Sequence, residues 1–339
     1  MEKLKLGVAY HGNRMLNQVQ ADMQDIIKHN MNLVVHMFSH NDMERNKSVM
    51  KDIISATKFL GLECWIDNWG IGGPPGDVSH ILQFYRDSHQ VNNKGEIDPL
   101  RICFNSPGYL EFTKKWIDAV YEAGVDTIFW DEPRLNVSDD GTEFACCCER
   151  CKKLFEEKYN KPMPNFITPE VESFRRDSVI NYFAKATAYA KEAKMRNTVC
   201  MYLDSWWFAK SIAALSSVDE VGTDPYWTNK TEDVYGFVYE KSKEFIDTAA
   251  ELKRPSHIWV KGYGFKNGFE DSVFEGTEAA YDAGARTILS WSFRAGEACD
   301  YRMQCPDLGW HIIGESMRRI RDRHVDECIN NKRKKYGLI

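Results

Sequence analysis

The feature that most limits how this chain can fold is a rhythm: short β-rich runs alternate with amphipathic helical ones nearly from end to end. Such alternation is the pattern of parallel strands joined by helical crossovers. Strands are read at residues 4–10, 33–39, 62–67, 127–131, 198–203, 220–224, 257–261 and 287–291. Eight of them with helices between predict an α/β chain folded as a (β/α)8 TIM barrel. The helices carry one-sided apolar stripes. Phe112, Trp116, Ala119 and Ala123 fall at i, i+4, i+7 and i+11, and Val19, Met23, Ile26 and Ile27 form a second stripe. Gly61, Gly124 and Gly284 each stand between a helix and the next strand, where a left-handed cap suits a residue without a Cβ. The pattern Tyr-x-Ala-Gly-x-x-Thr-Ile begins at both Tyr121 and Tyr281 and leads into strands four and eight, half a barrel apart. A doubly wound open sheet is the rival, but no Gly-x-Gly-x-x-Gly follows the first strand. No organic cofactor is expected.

The rhythm breaks over residues 68–106, after strand three, and again over 132–167, after strand four. Both long loops leave the C-terminal ends of strands, the face on which barrel enzymes place their chemistry. Loops of this length in a compact domain are functional or separately stabilised. No second domain is expected: residues 1–325 form the catalytic barrel, and 326–339 form a basic tail around Asn331-Lys332-Arg333-Lys334-Lys335. Lys+Arg 44 against Asp+Glu 50 leaves a net charge of −6, the wrong sign for a nucleic-acid footprint. No run approaches the roughly 18 apolar residues of a membrane span, and the first residues lack the apolar core of a secretory signal. A cytoplasmic protein is expected, with neither nucleic acid nor membrane as partner; self-association stays open. Its ten cysteines then read as thiols or metal ligands rather than disulfides.

The second long loop carries Cys146-Cys147-Cys148-Glu149-Arg150-Cys151. Four thiols so close together are not ordinary core packing, because adjacent side chains point in different directions. Zn²⁺ wants four soft ligands, and the Cys148-x₂-Cys151 spacing wraps two thiolates around one ion. Cys146 can supply a third, and a fourth must come from this run or elsewhere. An all-thiolate shell leaves no open position for water, so such a metal is structural. Reduced surface thiols are the alternative. Cys64 and Cys200 read as small core residues, while Cys299 and Cys305 flank the last loop and can pair or stay free.

Arg101-Ile-Cys103-Phe-Asn-Ser-Pro107-Gly-Tyr109, followed by Cys146-x-Cys148-x₂-Cys151 and Phe155, resembles the zinc-site region of family 42 β-galactosidases. Those are barrel glycosidases of a large clan that keeps its acid/base at the end of strand four. The resemblance covers about residues 101–160 and the barrel rhythm. It implies a structural zinc held by Cys103, Cys146, Cys148 and Cys151, which ties the two long loops together and leaves Cys147 a bystander.

Polar residues that follow the strands of a barrel meet at one face. Here they are His11, His40, Asp67 with Trp69, Asp131 with Glu132, Asp204, Asp224 with Tyr226, Lys261, and Trp291 with Arg294. Four of the eight strand ends carry Asp. Glycoside hydrolysis needs two carboxyls flanking an anomeric carbon, and aromatic faces pack on sugar C–H surfaces. His11, His40, Asp67 and Asp204 read equally as substrate-binding or structural. Lys261 at a strand end demands a carboxylate partner, Asp224 or Asp131. Trp130-Asp131-Glu132-Pro133 resembles the Asn-Glu-Pro element of the clan, with Asp131 where Asn would stand, and this implies that Glu132 is the acid/base. The sequence departs from the clan at strand seven, where a nucleophilic glutamate belongs: residues 257–264 hold no acid, and Glu270 and Asp271 come only later. The second carboxyl is therefore sought at Asp224. Neighbouring strand residues alternate in direction, so one of Asp131 and Glu132 is expected to face the substrate unless a bulge presents both.

The reading is a glycoside hydrolase of carbohydrate metabolism acting on small saccharides or glycosides. Asp131, Glu132 and Asp224 are its candidate catalytic groups. His11, His40, Asp67, Trp69, Asp204, Tyr226, Lys261, Trp291 and Arg294 are candidate substrate ligands. A catalytically inert sugar-binding barrel is the second reading, and a barrel lyase or isomerase using Lys261 as base the third.

Overall fold

The apolar runs become short strands buried on both faces, as a parallel sheet wrapped in helices requires. A computed structural model describes residues 3–69, 81–132, 135–138, 140–202 and 206–337. Its strands are β1 Lys5–Tyr10, β2 Leu33–Met37, β3 Glu63–Asp67, β4 His89–Val91, β5 Ile97–Ile102, β6 Thr127–Trp130, β7 Arg196–Cys200, β8 Glu220–Thr223, β9 Ser256–Lys261 and β10 Thr287–Trp291. Eight of these, all but β4 and β5, pair in parallel and close into a barrel, with β10 returning to β1 through Lys5 opposite Thr287 and Val8 opposite Ser290. This is the predicted (β/α)8 barrel, and every strand read from the sequence overlaps an observed one.

Inside the barrel Ala9, Val35, Trp65, Phe129, Cys200, Trp259 and Leu289, from seven different strands, pack on one another. The eighth, β8, offers Gly222, where a Cβ would come within 2.0 Å of the His257 ring. The lumen is thus a packed floor on which a site can stand, not a pore. Alternate residues face the helices: Trp130 turns outward, donates from Nε1 to Asn197 Oδ1 at 2.9 Å and meets Trp116. Val19, Met23 and Ile26 are buried as their stripe predicts, but Ile27 is 40% exposed because the stripe is narrower than four residues there. Gly124 caps its helix at φ +89°, a conformation that costs a side-chain-bearing residue about 1 kcal/mol or more.

The two long loops meet. Strands β4 and β5 form an antiparallel hairpin, and isolated bridges join Asn92 to Ala145 and Val137 to Phe144. The expected basic tail is instead the end of a helix, Pro306–Lys335, so the boundary placed at residue 325 falls inside a continuous element. That helix is fastened to the first one by Trp310 Nε1 donating to Asp25 Oδ2 at 2.9 Å. No described helix is long and apolar enough to cross a membrane.

Candidate active site and metal centre

Above the lumen floor lies a cavity of about 440 Å³ walled by Trp69, Asp131, Glu132, Cys200, Tyr202, Asp224, Tyr226, Trp259, Tyr263, Trp291, Ser292, Cys299 and Tyr301. It gathers the ends of β3, β6, β7, β8, β9 and β10. Alternation along β6 turns Phe129 into the lumen and Trp130 away from it, so Asp131 turns in again. Glu132 breaks the alternation. Its φ of +35° lies in the left-handed region that β-substituted residues avoid, and this twist brings its side chain to the same cavity. Both acids therefore face inward, where alternation alone allows one. Strained backbone of this kind concentrates at functional sites.

Glu132 is only 9% exposed, and its carboxyl is hydrogen-bonded to that of Asp224. Burial pushes the Asp224 pKa well above the usual carboxylate range, and the Glu132 and Asp131 charges push the same way. Two carboxyls in contact and away from water cannot both ionise, so the pair shares a proton. Asp67 sits underneath, 0% exposed, its pKa raised first by burial. The Glu132 charge adds to that rise. Neither Asp67 oxygen accepts a hydrogen bond of ordinary geometry.

Of the substrate ligands read from the sequence, Trp69, Tyr226 and Trp291 line the cavity. His11 stands one layer back, edge-on to Trp69 at 4.9 Å and to Trp291 at 4.8 Å, with burial pulling its pKa down to about 4. His40 lies outside, packed on Phe112 at 5.0 Å with Nε2 3.6 Å from Glu44. Among the described residues Lys261 finds no carboxylate; its Nζ donates to the Trp227 carbonyl at 3.0 Å and lies over the Tyr263 and Phe265 rings. Burial lowers its pKa. Arg294 turns away to Glu297 and Asp307, at 2.5 and 2.9 Å. Asp204 lies outside the described residues. Glu270 is buried, with one oxygen accepting the Gly268 N–H at 2.7 Å, and neither it nor Asp271 reaches the cavity wall. The strand-seven position thus supplies no acid among the described residues. Sequence reasoning missed Tyr202, Trp259, Ser292 and Tyr301; Cys200, read as a core residue, is one and also meets the cavity. Cys200 and Tyr202 are two apart and so share a face, the one signal that was available.

The cysteine cluster forms where the two long loops cross. Cys103 follows the hairpin and its N–H donates to Ser88 O at 2.7 Å. Cys148 caps the helix Glu149–Tyr159, and Cys151 lies in its first turn. The Sγ atoms of Cys103, Cys146, Cys148 and Cys151 all lie within 4.8 Å of one another, with Cys103 3.4 Å from Cys151 and 3.9 Å from Cys148. A tetrahedron with arms of about 2.3 Å has edges of about 3.8 Å, so the four thiols fit one metal ion. Cys147 points elsewhere, toward Phe144 O, and burial pushes its thiol up to about 12. Cys299 and Cys305 are both free thiols.

The fold is shared with solved glycoside hydrolases. The endo-1,4-β-mannanase of Rhizomucor miehei matches with a TM-score of 0.64 and 10% identity, over 94% of this chain and 95% of that one. The endo-β-1,4-mannanase of Thermotoga petrophila gives 0.59 and 12%, over 94% and 77%. The PgaB glycoside hydrolase domain of Bordetella bronchiseptica gives 0.55 and 12%, over 86% and 94%. No family model matches the sequence, and no curated relative matches it.

Proposed function

We propose that this protein is a glycoside hydrolase whose reacting groups are Glu132 and Asp224. The observation that carries the reading is their carboxyl–carboxyl hydrogen bond at the aromatic mouth of the barrel. A pair that shares a proton holds an acid and a base ready at one pH. Asp224, whose pKa is raised, keeps the proton and passes it to the leaving glycosidic oxygen as that C–O bond breaks. The Glu132 carboxylate attacks the anomeric carbon, the reverse of the acid/base role that the Asn-Glu-Pro resemblance implies for it. Water then displaces Glu132, giving its proton to Asp224 and restoring both groups. Inverting pairs stand about 6.5–9.5 Å apart to admit a water, whereas retaining pairs stand about 5–5.5 Å apart. Carboxyls in contact are closer than either spacing and must part to admit a sugar; the small opening needed favours retention over inversion.

The wall of Trp and Tyr rings suits sugar C–H faces, and about 440 Å³ falls in the range of small-molecule pockets, which supports small saccharides or glycosides as substrates. Zn²⁺ at Cys103, Cys146, Cys148 and Cys151 would brace the loop that follows β6, as the likeness to family 42 β-galactosidases implies; four thiolates leave it no part in the chemistry.

Asp224→Asn is expected to lower kcat/KM on a cleaved aryl glycoside by about a hundredfold or more, the scale of general acid–base catalysis, with an unchanged unfolding temperature. Wild-type turnover in that variant would remove Asp224 from the reaction. The lack of an acid at the end of β9 favours one other reading, an inert sugar-binding barrel. Calorimetric binding of a glycoside panel without any turnover would establish that instead.

A further inference from the structure

Seven of the ten cysteines are buried, and the other three differ in what faces the sulfur. Cys299 donates to the Gly296 carbonyl at 3.1 Å, and Cys305 caps the start of the last helix, Pro306–Lys335. Cys328 lies inside that helix, with its Sγ 3.6 Å from Nε2 of His324 one turn earlier. Among the described residues it is the one of the three that meets a histidine.

The hydrogen bonds around that ring fix which nitrogen carries its proton. Tyr281, from the helix Ser272–Asp282, donates its single hydroxyl proton to Glu327 Oε2 at 2.7 Å. Its oxygen is then left to accept from His324 Nδ1, 3.1 Å away. With Nδ1 protonated, a neutral His324 turns the bare lone pair of Nε2 toward the Cys328 thiol. Glu327 is itself held by Arg323, whose Nε lies 3.2 Å from Oε1 and whose guanidinium also pairs with Asp282 at 2.5 Å. Arg286 and Arg323 lie over the Tyr281 ring at 4.3 and 5.0 Å. A sulfur nucleophile with a base in reach, and further groups orienting that base, is the arrangement that activates a thiol. On the same face, one turn toward the start of the helix, Arg321, His324 and Val325 join Leu4, Ile27 and Met31 around a cavity of about 310 Å³. This space lies at the N-terminal ends of β1 and β2, across the barrel from the carboxyl pair.

We propose that Cys328 is a modification site that exchanges with low-molecular-weight disulfides, with His324 as its base and Tyr281 and Glu327 as positioning residues. The thiol proton passes to His324 Nε2 as Sγ attacks one sulfur of the disulfide. A new S–S bond forms, the old one breaks, and the departing thiolate takes the proton back from Nε2. Cys328 is oxidised and the reagent is reduced by the same two electrons, so no further reactant is required. The exchange does not depend on the hydrolase reading.

The test treats the whole protein with glutathione disulfide at pH 7 and follows the mixed disulfide at each cysteine by mass spectrometry of its peptides. Cys305 is the internal control, because it and Cys328 are both half-buried. Cys328 is expected to react at least about tenfold faster, a modest share of what a positioned base gives. His324→Asn keeps a donor toward Tyr281 but has no base, and is expected to erase that ratio by slowing Cys328 alone. A thiol that is merely exposed would react as fast or faster in this variant, because the smaller side chain uncovers it. Tyr281→Phe and Glu327→Gln are expected to slow Cys328 by smaller factors, with Cys305 and the unfolding temperature unchanged. A Cys328 rate no higher than that of Cys305, an unaltered rate in His324→Asn, or equal slowing of both thiols overturns the proposal. Should His324→Asn fail to fold, Glu327→Gln decides: an unaltered Cys328 rate there overturns the proposal as well.

Discussion

Asp67 shows how a single side chain ties this fold to pH. Its raised pKa means that the folded protein holds a proton which the unfolded chain, with an ordinary Asp pKa of about 3.9, releases earlier. Below about pH 4 both states are protonated and the stability is fully present; it is lost as pH rises through the folded pKa. Asp67→Asn keeps the shape without the linked proton. Melting curves at pH 5 and pH 8 are expected to separate by at least about 2 °C more in the wild type than in this variant. Equal slopes would show that the Asp67 proton is not linked to folding. The same scale shows what the sequence hides. That one of Asp131 and Glu132 faces inward was legible from alternation along β6, but that both do depends on a backbone angle of +35° at Glu132, which no residue type announces. Trp259 sits mid-strand and reads as core, although its ring forms both the lumen floor and the cavity wall.

The hairpin of β4 and β5 has little to hold it alone, since two strands are marginal in water. Its fixings are the Asn92–Ala145 bridge to the neighbouring loop, the Cys147 N–H donating to Val91 O at 2.7 Å, and the four clustered thiols. Metal bound there links the loop after β3 to the loop after β6 and adds its binding free energy to folding. Removing it with a chelator is expected to lower the unfolding temperature and to speed amide exchange over residues 88–103 and 145–155 before the rest of the barrel responds. Cys103→Ser should lose metal, measured by elemental analysis, while Cys147→Ser should keep about one equivalent. Loss of metal in both variants, or in neither, would contradict the four-thiol site. The cysteines and their spacing stood in the sequence, but the hairpin did not. Its strand Ile97-Asp-Pro-Leu-Arg-Ile102 buries only its last residue, and a strand that buries little leaves no clear periodic pattern.

At the scale of the molecule, closure between the first and last strands makes the two ends of the chain interdependent. The rhythm of the sequence revealed the barrel because every crossover repeats one packing problem, an apolar strand under an amphipathic helix. The role of the last helix was harder to read, since its polar second half disguises a buried first half. Trp310, Ile312, Ile313, Met317 and Ile320 are buried, whereas the basic residues 332–335 are exposed. A chain cut after residue 330 is expected to melt within about 2 °C of the full protein, because surface changes away from the core cost little. A chain cut after residue 305 loses the whole buried face and is expected not to fold, as circular dichroism would show. A stable barrel from the shorter chain would mean that the last helix is dispensable to closure.

The aromatic wall also has an optical side. The Trp69 and Trp291 rings lie 5.0 Å apart, Trp259 and Trp291 5.6 Å apart, and the His11 imidazole touches two of the three. Indoles at that spacing exchange excitation and share a neighbouring quencher, so whatever enters between them alters their emission together. The protein thus carries its own fluorescent reporter at the place where a ligand would arrive, with no label attached.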